Sequence, residues 1–175
     1  MGTPQGGQLD AIVQLVKSRK PVEPAADALA ALETPALVVD LDRLDRNLRR
    51  ASEYAAANRL ALRPHVKTHK SLAVAAAQLA RGARGLTCAT VAEAEKMSSV
   101  CDDILLAYPP VGTARARRIA ALDSVARLTV ALDSARAVSD LAEAAWISRR
   151  PIGVYIELDL GMHRVGVQSL SLIHI

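Results

Sequence analysis

Apolar residues in this chain come in short continuous runs, each followed by a stretch with helical spacing. The runs TPALVVDLD (34–42), LALRPHV, GLTCAT, DILLAYP, RLTVALD and PIGVYIELDLG read as strands, rich in β-branched and aliphatic residues and bounded by Pro, Gly or Asp. Between them, Leu44, Leu48, Ala51, Tyr54 and Ala55 recur at spacings of three and four. SLAVAAAQLARGA, closed by Gly82 and Gly85, reads as a second helix, and VAEAEKMSSV, TARARRIAALDSV and SARAVSDLAEAAWI as three more. A short amphipathic helix is predicted over 10–18, with Ile12, Val13 and Leu15 inward, after a disordered start at 1–9 and before the proline-bearing linker KPVEPAA.

The strands are continuous rather than alternating, which is the pattern of strands covered on both faces in parallel sheets. Repeated strand–helix units leave the doubly wound sheet and the (β/α)8 barrel. No GxGxxG or Walker sequence follows a strand, so the barrel is favoured. After the first strand–helix pair the chain supplies five strands, against the eight of a closed barrel. The expectation is therefore an α/β chain forming a partial (β/α)8 TIM-type barrel: residues 1–33 an N-terminal arm and linker, 34–169 the partial barrel, and 170–175, where SLSLIHI breaks the pattern, a non-native tail.

Composition narrows the function classes. The chain has 175 residues, no Phe and a formal net charge of +4. Many of its arginines sit in helical segments beside acids, as in DLDRLDRNLRR, and no aromatic residues interleave with the basic ones. This argues against nucleic-acid binding. No apolar run has membrane-spanning length, and the N-terminus carries neither a signal peptide nor a myristoylation signal. Cys88 and Cys101 are too far apart for a CxxC pair and read as buried thiols of a reduced, cytoplasmic protein.

Two segments carry chemistry. RPHVKTHK (63–70) follows an apolar strand, where barrels place functional groups. Lys67, crowded by Arg63, His65, His69 and Lys70, has reason to give up its proton, and a neutral amine condenses with carbonyls. The competing reading is a solvated basic loop. GMHRVGV (161–167) follows the last strand: Gly161 and Gly166 permit close approach to a ligand, and Arg164 offers a planar fork of donors to an anionic oxygen. The competing reading is a turn with an exposed arginine. His65, His69 and His163 could bind metal only by converging, and HVKTH has no zinc-site spacing. No metal site is expected within this chain, and His174 lies in the suspect tail.

The series TPALVVDLDRLDRNL, RPHVKTHK, GARGLTCATVAEAE, DILLAYPPVG and ELDLGMHRVGV resembles the D-threonine aldolase and D-serine dehydratase family, whose N-terminal barrel is of the alanine racemase type. The resemblance spans residues 34 to about 168. It implies a pyridoxal 5'-phosphate-dependent lyase of small D-β-hydroxy amino acids. Lys67 would form the Schiff base and Arg164 would contact the cofactor's phenolic oxygen, with His65 and Gly166 among the cofactor-binding residues. It further implies a C-terminal β-domain, missing here, that supplies a divalent metal in a longer parent, and a homodimer. An amino-acid racemase, a non-catalytic cofactor-holding protein of the same fold, and a basic interaction module are the alternatives.

Overall fold

The computed structural model describes residues 30–122 and 125–169. The chain runs α1 (Leu41–Ala57), α2 (Leu72–Ala80), β1 (Leu86–Cys88), α3 (Val91–Met97), β2 (Asp103–Leu106), α4 (Thr113–Ala120), β3 (Arg127–Leu132), α5 (Ala135–Ser148) and β4 (Gly153–Ile156). The four strands form one parallel sheet in chain order, with Cys88 opposite Leu106, Leu106 opposite Val130 and Leu132 opposite Ile156. Consecutive parallel neighbours joined by helices are the unit from which a (β/α) barrel is built.

The expected LALRPHV strand lies along the outer edge of β1 but pairs with it at a single bridge, His65 to Thr87. There the Thr87 N–H donates to the Pro64 carbonyl at 2.8 Å and the Val66 N–H to the Thr87 carbonyl at 2.9 Å. The next rung would need an N–H from Pro64, which has none. The first predicted strand, 34–42, is not a strand. Residues 36–40 belong to no strand or helix, with Leu37, Val38 and Val39 exposed, and α1 begins at Leu41. Among the described residues this segment has no neighbouring strand to pair with, and apolar content alone makes no ladder. The last predicted strand is ladder-paired only at Gly153–Ile156. The predicted helix at 10–18, the arm to residue 29 and the tail at 170–175 lie outside the described residues.

Side-chain caps set most helix starts. Asp40 accepts the Arg43 N–H, Ser71 that of Val74, Thr90 that of Glu93 and Ser134 that of Ala137. Helix α4 starts at Gly112 without such a cap, and the Gly112 N–H is bound instead by Asp140 Oδ2 at 2.7 Å. The inward stripe of α1 differs from the predicted one. Ala51 and Tyr54 are exposed, and Ser52 faces inward, donating to the Arg81 carbonyl.

The core lies between the sheet and its helices. Val66, Leu86, Ile104, Leu106 and Val130 meet Ala75, Ala94, Met97, Ile119, Ala137 and Ala144. Alanine at the helix contacts lets helices sit close to the strands, and aliphatic side chains fill the space without any Phe. Cys88 and Cys101 are buried and free, as expected of small apolar side chains. Burial pushes the Cys88 thiol up to about 12.

Candidate functional site

The C-terminal edge of the parallel sheet gathers the loops in which the sequence signals lie. Extending the His65–Thr87 register by two residues sets Lys67 opposite Ala89. The ladder stops there because its groups are taken by other partners. The Val66 carbonyl accepts the Lys70 N–H at 2.8 Å. The Ala89 N–H donates to Glu93 Oε2 at 2.7 Å. The chain turns at Lys67–His69, and Lys70 leaves the turn with a left-handed φ of 48°.

This turn sorts the cations of RPHVKTHK. Arg63 does not crowd Lys67, as the sequence suggested. It points to the opposite, N-terminal end of the sheet, where Nη1 meets Asp103 Oδ1 at 2.7 Å and the Asp103 carbonyl at 3.1 Å. Gly85 leaves room for the guanidinium beside Asp103, four residues before Lys67 along the strand. Lys70 is ion-paired with Glu93. Lys67 is exposed, and among the described residues its amine makes no ion pair or side-chain hydrogen bond. His65 Nδ1 accepts the Lys67 backbone N–H at 3.3 Å, and His69 Nδ1 accepts that of Ser71 at 3.1 Å. Burial, and for His65 also the charge of Lys67, hold both imidazoles below the usual histidine range. Both rings therefore act as neutral acceptors that shape the turn.

The second segment closes on itself beyond β4. Asp159 Oδ1 accepts the N–H groups of Gly161 and His163 at 3.0 and 2.9 Å, and Oδ2 lies 3.1 Å from His163 Nδ1. These bonds, the two backbone ones first, hold the Asp159 carboxyl below its usual range. The Val167 N–H returns to the Glu157 carbonyl at 2.9 Å, and the Gly166 N–H reaches Asp133 Oδ2 at 3.2 Å. Gly161 and Gly166 have φ of 120° and 102°, in the region that favours glycine. At Gly166 the fit is also steric, since a Cβ would lie 2.6 Å from the Asp159 nitrogen. Arg164 is exposed and, with Glu157, Asp159 and Met162, lines a depression of about 180 Å³. Among the described residues, Glu157 Oε2 is buried there without a hydrogen-bond partner. Burial, then the charge of Asp133, raise the Glu157 pKa against the pull of Arg164.

Both segments therefore stand at the same end of the sheet but at opposite edges. Four inter-strand steps along the sheet separate Lys67 from the loop of Arg164. His163 turns toward Asp159 rather than toward His65 or His69, and among the described residues no three His, Cys, Asp or Glu side chains converge as metal ligands. Also among these residues, no helix is long and apolar enough to cross a membrane. Sequence reasoning missed Glu93, Asp133, Glu157 and Asp159. The spacing Thr90-x-x-Glu93, a capping-box signature, would have found the first. The other three lie just beyond strands: Asp133 is met by the distant Gly166, Asp159 by its own loop, and Glu157 by burial rather than by a bond.

A parallel strand–helix repeat with a lysine and a glycine-flanked arginine at its C-terminal edge defines an α/β-barrel type of enzyme scaffold. The chain belongs to the alanine racemase N-terminal domain family, whose model matches residues 39–174. It is 37% identical over 154 residues to a D-threonine aldolase from Arthrobacter sp., covering 87% of this chain and 40% of that protein. It is 42% identical over 145 residues to the D-threo-3-hydroxyaspartate dehydratase of Delftia sp. strain HT23, covering 81% of this chain and 37% of the relative. That dehydratase has also been solved as a variant in its metal-free form. The crystal structure of D-threonine aldolase from Filomicrobium marinum superposes with a TM-score of 0.76 at 38% identity, over 79% of this chain and 38% of that one. The chain thus spans about two fifths of the length of the relatives it matches. Membership of this family implies pyridoxal phosphate as cofactor.

Proposed function

We propose that this chain carries the lysine-bearing part of a pyridoxal phosphate site in a lyase of D-β-hydroxy amino acids, of the D-threonine aldolase or D-serine dehydratase type. The observation that carries the reading is the unpaired Lys67 amine on an exposed turn at the C-terminal edge of the sheet. The residues present suit one end of a flat, aldehyde-bearing, anionic cofactor. Lys67 offers the free amine, with His65 beside it. Arg164 offers a planar donor fork, and Gly166, where the Asp159 and Leu158 backbone leaves no room for a Cβ, closes the loop that presents it.

When bound, pyridoxal phosphate supplies an electron sink for cleavage of a bond at the substrate's Cα. The chain's own residues do the rest. Lys67 would hold the cofactor through its amine and would be placed to take or return a proton at Cα. Arg164 would donate to the cofactor's phenolic oxygen and fix the ring's orientation. His65 receives the Lys67 backbone N–H and keeps the turn in register. A divalent metal in the whole protein would polarise the substrate's β-hydroxyl. Its ligands would come from residues outside this chain. A cytoplasmic homodimer completes the reading.

The test has two stages. The chain is mixed with pyridoxal phosphate, reduced with borohydride, digested and analysed by mass spectrometry, with the adduct expected on Lys67 and lost in Lys67→Ala. An adduct on another residue, or none, overturns the cofactor assignment. The whole protein is then given D-threonine, D-serine and D-threo-3-hydroxyaspartate. Glycine plus an aldehyde marks an aldolase, a keto acid plus ammonia marks a dehydratase, and bound cofactor without turnover marks a cofactor-holding protein.

A further inference from the structure

RPHVKTHK holds two lysines three residues apart on one turn, and the structure treats them differently. The Lys70 amine is bonded to Glu93, a carboxylate whose side chain is only 6% exposed although it belongs to an otherwise half-open helix end. The other oxygen of Glu93 takes the Ala89 N–H, the donor that would otherwise continue the ladder toward the Val66 carbonyl. That carbonyl is taken in turn by the Lys70 N–H. One buried carboxylate thus ends the strand pairing, anchors the turn and occupies the second amine. Lys70 sits in the left-handed region, φ 48°, a conformation that a non-glycine residue keeps only when its surroundings hold it there.

We propose that Glu93 is the residue that selects which lysine reacts: by binding Lys70 and locking the Val66–Lys70 turn, it leaves Lys67 as the nucleophilic amine of this rim. Glu93 is a positioning residue that acts through Lys70 and need not touch the cofactor. An ammonium engaged by a carboxylate is a poor nucleophile, because attack on a carbonyl requires the free lone pair. The proposal rests on the reading of Lys67 as the cofactor-binding amine, so its primary test does not use the cofactor.

Trace labelling of the unmutated chain with acetic anhydride, followed by peptide mass spectrometry, compares the two amines directly. Lys67 should label roughly ten times faster than Lys70, the scale of one charge-assisted hydrogen bond. Equal rates, or faster labelling of Lys70, overturn the proposal without any variant. Glu93→Gln, checked for folding by circular dichroism, should bring Lys70 close to the rate of Lys67. After pyridoxal phosphate and borohydride, the same variant should divide the adduct between the two lysines. Lys70→Gln, which can still donate to Glu93, should leave Lys67 labelling unchanged. A folded Glu93→Gln chain with unaltered selectivity refutes the assignment. Failure of pyridoxal phosphate to attach anywhere overturns the cofactor reading alone, since the anhydride ratio still decides the role of Glu93.

Discussion

Gly166 shows how much one residue without a side chain determines. Its φ of 102° lies where an L-residue is strained, and an added Cβ would meet the Asp159 nitrogen at 2.6 Å and the Leu158 carbonyl carbon at 2.7 Å. These are backbone atoms, which cannot swing aside. Gly166→Ala should therefore open the loop that carries Arg164, at a cost of about 2 kcal/mol or more. Urea unfolding followed by circular dichroism would measure it. Gly161 differs: its φ is also positive, but no atom lies within 4 Å of the added Cβ. Gly161→Ala meets only the conformational penalty and should cost less than Gly166→Ala. An equal loss at both positions would mean that backbone strain, not the close approach, governs this loop.

At the scale of the element, α3 is short but carries the pairing that shapes the lysine turn. Thr90 Oγ1 accepts the Glu93 N–H at 3.2 Å, and Glu93 reaches back to Ala89 at 2.7 Å. Burial alone would raise the Glu93 pKa. The Lys70 bond, the Ala89 N–H and the Lys70 charge outweigh it, so the folded-state pKa lies below the ordinary value of 4.5. For a carboxylate with a depressed folded pKa, the unfolded chain binds the proton more readily. The stabilisation is therefore complete above about pH 4.5 and is lost as pH falls through the lower folded value. Native unfolding free energy should decline on acidification below pH 4.5, and Glu93→Gln should decline less steeply across the same range. Asp103 and Asp159 have depressed values too and keep part of the slope in the variant. Identical slopes for the two chains would show that Glu93 is not titrating against Lys70.

For the whole molecule, the alternation of strand and helix was legible in the sequence because it rests on local spacing. Each of the last four strands and the helices between them falls on the segment predicted for it. What was not legible depends on partners distant in sequence. Residues 34–42 have strand composition but no strand to pair with, and Pro64 breaks a ladder that the apolar run of LALRPHV suggested. The site divides in the same way. Lys67, Arg164 and Gly166 were singled out as candidates by their position after strands, whereas the direction of Arg63 follows from Gly85 and Asp103. A Cβ at Gly85 would sit 2.4 Å from Arg63 Nη1, so the glycine admits the guanidinium to the buried Asp103 carboxylate, which Arg127 also binds at 3.0 Å. This layer lies at the N-terminal edge of the sheet, opposite Lys67. In βα barrels the two ends divide labour, stability at one and chemistry at the other. Arg63→Ala leaves Asp103 with the largely exposed Arg127 as its remaining cation. Breaking one arm of a buried ion pair costs about 3 kcal/mol, which thermal or urea unfolding would detect. The ratio of anhydride labelling between Lys67 and Lys70 should stay as it is in the folded variant, because no bond of the lysine turn passes through Arg63. A changed ratio would mean that the cations of RPHVKTHK act as one cluster after all, and that the sheet does not insulate its two ends.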